Sequence, residues 1–120
     1  MEQLTDASGL YEVERRAVHA ERPGFRISEL QISTSQFVPW HLHTITRDTF
    51  YVLAGVIEVR LRSPAESVRL EPGETLTVEE GRPHHVVNAG AGSATFLVMQ
   101  GIGKYDYVPI DFDDVCDDAV

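Results

Sequence analysis

The chain has a single cysteine, Cys116, in 120 residues, so no internal disulfide can form. Its first residues, MEQLTDASGLYEVERR, have neither the basic start nor the apolar stretch of a secretion signal, and together with the lone thiol they point to a cytoplasmic address. Long apolar runs are missing too: none approaches the ~18 residues of a membrane span, which argues against a membrane role. Positive charge is scarce. Ten Lys and Arg stand against nineteen Asp and Glu, a formal charge of -9, so a phosphate backbone is repelled and nucleic acid is excluded as a partner. Helical periodicity is almost absent, with one weak hint over YEVERRAV at 11–18. There is no internal repeat, low-complexity block or Pro/Ser linker. The length suits one domain over 1–120, expected to bury roughly two-thirds of its unfolded surface.

What the sequence does have is punctuation. Turn signals recur at short intervals from RPG at 22–24 to AGAGS at 89–93, the rhythm of an all-β domain. Between them lie eight candidate strands: GFRISELQIS, QFVPWHLH, TFYVLAG, VIEVRLR, ESVRL, ETLTV, HHVVN and SATFLVMQ. Glu71-Pro72-Gly73-Glu74 places proline and glycine at the two central positions of a type II turn, where φ is respectively fixed and positive. VIEVRLR alternates, with Ile57, Val59 and Leu61 on one face and Glu58, Arg60 and Arg62 on the other, as a half-exposed antiparallel strand does. FYVL at 50–53 does not alternate, and Trp40 and Leu42 lie opposite the neighbouring histidines, so these strands read as covered on both faces. A second copy of the chain packed there, giving a homodimer, is the expectation; the amino-terminal segment folding over the sheet is the alternative. Eight antiparallel strands with such turns form a barrel or a double-sheet sandwich. The tail DFDDVCDDAV holds five acids and reads as a solvated end, a docking segment for a basic partner being the other reading. Carboxylates around Cys116 disfavour its thiolate, so it is given no catalytic role.

The chemistry is concentrated in PWHLHTITRDTFYVLAG, residues 39–55. Residues two apart on a strand point the same way, ~6.6 Å apart, so His41 and His43 project into one interior and can converge on one ion. A metal needs further ligands. Asp48 is expected on the neighbouring strand, and after the Pro72-Gly73 turn and a second turn at EEGRP comes His84, with Asn88 four residues on and on the same face. His85 alternates to the other face; it and His19 read as surface or interface histidines, and Asn88 as a turn-holding residue.

These residues resemble the two motifs of the cupin superfamily. The first, G-x5-H-x-H-x(3,4)-E-x6-G, is matched by His41, His43 and Gly55, with Ser35 in place of the first glycine and Asp48 in place of glutamate. The second, G-x5-P-x-G-x2-H-x3-N, is matched by Gly73, Gly81, His84 and Asn88, with Glu79 replacing the proline. The resemblance implies a small jelly-roll barrel, a double-stranded β-helix of antiparallel strands, with a short amino-terminal arm and the acidic tail outside it. It also implies one divalent transition metal held by His41, His43, Asp48 and His84. Aspartate reaches about 1.5 Å less far than glutamate, so Asp48 is either a direct ligand or a partner that orients a histidine.

Nitrogen-rich sites with one oxygen suit Fe, Mn, Ni, Zn or Cu. Open coordination positions would let a small oxygenated metabolite bind, with the ion as Lewis acid, or dioxygen if the ion is ferrous. Phe50, Val52 and Met99 are candidate apolar walls. Tyr51, Gln100, Tyr105 and Arg47 are candidates to supply a proton or anchor a carboxylate. The segment KYDYVPIDF at 104–112 lies either across the barrel mouth or on a partner subunit. A metal-dependent enzyme, an oxygenase or a non-redox isomerase or lyase, is the leading reading; a non-catalytic small-molecule binding or sensing module is the alternative.

Overall fold

The computed structural model describes residues 9–111, so Cys116 and the acidic tail after Asp111 lie outside the described residues. Ten strands follow one another: β1 (Arg15–Arg22), β2 (Phe25–Ile32), β3 (Phe37–Leu42), β4 (Arg47–Ala54), β5 (Ile57–Leu61), β6 (Glu66–Leu70), β7 (Thr75–Val78), β8 (His84–Asn88), β9 (Ala94–Gly101) and β10 (Val108–Pro109). They form two five-stranded antiparallel sheets, in the orders β1-β2-β9-β4-β7 and β10-β3-β8-β5-β6. Among the described residues no helix is long and apolar enough to cross a membrane.

Period-two burial explains most of this architecture. In β9 Ala94, Phe96, Val98 and Gln100 are buried, while Thr95, Leu97 and Met99 alternate outward. In β5 Ile57, Val59 and Leu61 are buried between half-buried Glu58 and Arg60, as the alternation of that stretch requires. The inward residues of both sheets meet in one core around Phe50, Phe96, Ile32, Val52, Ile57, Val59 and Val86. Each such side chain, taken fully out of water, contributes about 1.5–3 kcal/mol.

Two expectations need correction. Residues 11–18 are not helical: from Arg15 the chain runs as β1 and pairs with β2 in the register Arg16↔Leu30 and Val18↔Ser28. An edge-strand ladder outweighs the weak helical pattern there. Nor is FYVL covered on both faces within the described chain. It alternates like its neighbours, with Phe50 and Val52 buried, Tyr51 half-buried and Leu53 44% exposed. The described part of the amino-terminal segment, as β1, extends the sheet at its edge beside β2.

The expected turn at Glu71–Glu74 is present, with Gly73 at φ +87° and the Glu74 N–H donating to the Glu71 carbonyl at 2.9 Å. Gly55 also has positive φ, +76°, but in a crowded place: an added Cβ would sit 2.6 Å from the Ser93 carbonyl oxygen and 2.8 Å from Ala94 Cα. At Gly73 nothing lies within 4 Å of that position. Gly73→Ala should therefore cost about 1 kcal/mol, the left-handed backbone penalty alone, and Gly55→Ala at least twice that. Urea unfolding of the two variants checks the ranking.

Candidate metal centre

The second sheet contributes three imidazoles and the first a carboxylate. His41 lies on β3, His43 just after it, His84 at the start of β8, and Asp48 on β4. A β-bulge in β3, where the pairing with β8 shifts between Val38 and His41, lets both of those residues face inward although they are three apart. His41 then stands directly across from His84, its Cα partner in the ladder. Gly81 gives its N–H to the His43 carbonyl at 2.7 Å and ties the turn before β8 to the end of β3.

Each imidazole is oriented through its Nδ1. His41 donates to the Pro39 carbonyl at 2.7 Å, His43 to the Asp106 carbonyl at 2.5 Å and His84 to the Arg82 carbonyl at 2.9 Å. A carbonyl can only accept, so Nδ1 carries the proton and the Nε2 lone pair is left facing inward. All three Nε2 atoms converge on one oxygen, Asp48 Oδ2, at 2.9 Å from His43, 2.9 Å from His84 and 3.9 Å from His41. The four side chains are buried, with donor atoms all within 4.8 Å of one another. Lone pairs facing a carboxylate at 2.9 Å need a proton or a cation between them. That is the chemistry of a divalent-metal site, and the residues present fit one.

Electrostatics follow the same geometry. Burial and the neighbouring His84 push His41 down to about 3, so it is neutral and available as a ligand. Burial opposes charge on His43, but Asp48 and the Asp106 carbonyl outweigh it and raise that residue. Burial would likewise raise Asp48; positive charge at His43 and the three imidazoles gathered around its oxygen instead hold it well below the usual carboxylate range. Its second oxygen is also occupied, since Gln100 Nε2 donates to Asp48 Oδ1 at 2.9 Å.

His41, His43 and Asp48 form part of the wall of a cavity of about 260 Å³. Of the residues singled out from sequence, Phe50, Gln100 and Tyr105 line it. Val52 points inward but belongs to the packed core. Tyr51, Arg47 and Met99 are corrected: strand parity turns them to the outer face of the first sheet, and Arg47 pairs there with Glu80 at 3.1 Å. The segment after β9 lies against its own chain's cavity, with the Tyr107 ring stacked on His41 at 4.3 Å and 15°. Thr44 anchors it, donating its N–H and hydroxyl to the Asp106 carboxylate at 2.8 and 2.5 Å.

Among the lining residues that were missed are Tyr11, Arg16, Arg26 and Tyr107. Arg26 shares the inward parity of Leu30 and Ile32 on β2, a signal available in the sequence; Tyr11 and Arg16 lie in a segment whose pattern marked no strand. His19 is exposed and bonded to Glu29 at 2.7 Å, and Asn88 holds the turn before β9 through Gly90 and Gly92. His85 packs on the outer face against Phe37 and Trp40, at ring separations of 5.5 and 5.2 Å.

The sequence profile of the cupin domain matches residues 29–100, well over half of the chain and the whole of the metal cluster. This protein is a cupin. A germin-like protein of Arabidopsis thaliana (subfamily 3 member 1) is 30% identical over 78 residues, which are 62% of this cupin and 38% of the relative. The chain thus spans well under half of that relative's length. A conserved double-stranded β-helix protein from Klebsiella pneumoniae superposes with a TM-score of 0.71 at 20% identity, covering 81% of this chain and 84% of that one. The formate complex of Lactobacillus farciminis oxalate decarboxylase gives 0.70 at 12% identity, over 85% of this chain and 34% of that one. At those identities the two structures share the fold.

If the four residues hold one ion, His41→Ala or His84→Ala will lower zinc or manganese affinity by more than about 100-fold. That exceeds the ~10–100-fold that losing a residue bonded to a ligand costs, which is the range expected for Gln100→Leu. Equilibrium dialysis with elemental analysis measures both.

Proposed function

We propose that this cupin is a metal-dependent enzyme acting on a small oxygenated metabolite, with His41, His43, His84 and Asp48 holding one divalent transition metal. The observation that carries the reading is the convergence of three Nε2 lone pairs on Asp48 Oδ2 in a buried site beside a cavity. A metal bound there supplies Lewis acidity toward a substrate oxygen or, as iron, redox capacity.

The chain's own residues do the rest. Leu30, Val38, Phe50 and Val98 give the cavity an apolar wall that excludes bulk water. Burial raises the phenols of Tyr11, Tyr105 and Tyr107, which keeps them protonated and makes them hydrogen-bond donors toward substrate oxygens. At about 260 Å³ the cavity falls just below the ~300–1,000 Å³ of pockets for drug-sized ligands, so the substrate is small. An oxalate decarboxylase with this barrel supports an acid of that order as a starting compound. The lone cysteine of the chain supports a cytoplasmic setting.

The same reading takes the protein as a homodimer. Ile27, Tyr51, Leu97 and Met99 form a half-buried apolar row on the outer face of the first sheet, flanked by exposed Phe25 and Leu53, and no described segment lies over it. A second copy can cover that row by packing the same face against it, burying one self-complementary patch. Leu97→Glu should convert a dimer to a monomer in light scattering; a monomeric wild type would remove the assignment.

Activity decides the main proposal. Protein loaded with Fe, Mn, Ni, Zn or Cu should turn over a member of a panel of short carboxylic and hydroxy acids with at least one ion, and His41→Ala should not. Oxygen consumption confined to the iron form identifies an oxygenase; turnover without it identifies an isomerase or lyase. Binding with every compound returned unchanged identifies a receptor.

A further inference from the structure

Two arginines line the cavity, and they differ in how far their donors are already used. Arg26, on β2, gives Nε and Nη2 to Gln100 Oε1 at 3.1 and 2.8 Å and lays its guanidinium 4.1 Å over the Tyr105 ring. Because Gln100 in turn donates to Asp48, Arg26 is committed to the framework behind the metal ligands. Arg16, on β1, is not. Its guanidinium lies 5.2 Å from the Tyr11 ring centroid and also bears on the Tyr11 hydroxyl, but its Nη2 is buried with no hydrogen-bond partner among the described residues. A charged donor kept from water without an acceptor is costly, so its natural complement is an anion brought by a ligand.

The rest of the cavity agrees. Among the described residues Asp48 is its one lining carboxylate, with Gln100 at one oxygen and the histidines around the other. In a chain of net charge -9, two of the ten basic residues are thus gathered at one cavity with no free acid facing them among the described residues. Tyr11 stacks on Tyr107 at 6.4 Å and Tyr107 on His41 at 4.3 Å, so a continuous aromatic wall joins Arg16 to the histidine cluster. A ligand along that wall would have an anionic end at Arg16 and its remaining oxygens toward His41. Leu30, Phe50 and Val98 on the same cavity favour a short carbon skeleton over inorganic phosphate.

We propose that Arg16 is the specificity residue of this site, anchoring the carboxylate of a small organic acid through its guanidinium. The placement of the acid's other end rests on the metal reading above; the anchor itself does not. A planar guanidinium pairs with carboxylate through two parallel bonds, which a lysine cannot reproduce.

Calorimetric titration of the full chain with acetate, malonate and succinate, and with neutral malonamide and inorganic phosphate, tests this. It is run on protein as purified and after chelator treatment, so that chelation of a metal by malonate is separated from anchoring. At least one carboxylate should bind in both forms, malonamide and phosphate at least tenfold more weakly. Arg16→Gln should weaken that carboxylate roughly tenfold or more and leave metal content unchanged, and Arg16→Lys should recover part of the loss. Circular dichroism of both variants establishes that β1 is still formed. Carboxylate affinity equal to that of malonamide, affinity unaffected by Arg16→Gln, or phosphate binding as tightly as the acids overturns the proposal. Loss of the metal reading with Arg16-dependent carboxylate binding intact leaves it standing.

Discussion

Three backbone carbonyls, those of Pro39, Arg82 and Asp106, each accept the Nδ1 proton of a buried imidazole. From this follow the tautomer of each ring, the inward aim of each Nε2 lone pair, and the need for something positive at the point where they meet. An imidazole free to turn could satisfy either nitrogen with water or a neighbour. Here one nitrogen is already satisfied and the ring's orientation is set, so the site cannot relieve itself without breaking a buried bond. Asp48 alone does not resolve the crowding, because it too is an acceptor when ionised.

The barrel supplies these carbonyls from separate parts of the chain. Pro39 lies in the bulge of β3, where the ladder is interrupted and its carbonyl is free to accept from His41 two residues on. Arg82 belongs to the turn entering β8, and its carbonyl serves His84, again two residues on. Asp106 comes from the far end of the chain and reaches His43 across 63 residues, held in place by its carboxylate bonds to Thr44. The late segment is thus a working part of the centre, since it orients one imidazole and lays Tyr107 over another. On the opposite side Arg26 acts through Gln100 to hold Asp48, so a charge on β2 steadies an anion on β4 across β9.

Much of this was legible in the order of residues. Alternation placed β5 correctly, turn signals bracketed β9, the Pro72-Gly73 pair marked its turn, and the spacing of His41, His43 and His84 marked the cluster. What stayed hidden depended on contacts without a local signature. A bulge in β3 is invisible in QFVPWHLH, although the proline hints at an irregular strand. Tyr51 and Met99 were read as facing the cavity because the near-continuous apolar runs around them conceal which parity points inward. β1 escaped because YEVERRAV carries a pattern that suits either element, and its strand form is decided by pairing with β2. With β1 went Arg16 and with its approach went Tyr11, the two residues that give one end of the cavity its character.

The central claim is the protonation pattern of the rings at 41, 43 and 84. Long-range ¹H–¹⁵N correlation NMR of the metal-free protein reports directly which nitrogen of each ring carries the proton. The account predicts a proton on Nδ1 of all three, with the Nε2 resonances, and not those of Nδ1, shifting together on addition of one equivalent of zinc. A neutral ring among the three protonated on Nε2 instead, or zinc engaging Nδ1, would contradict it.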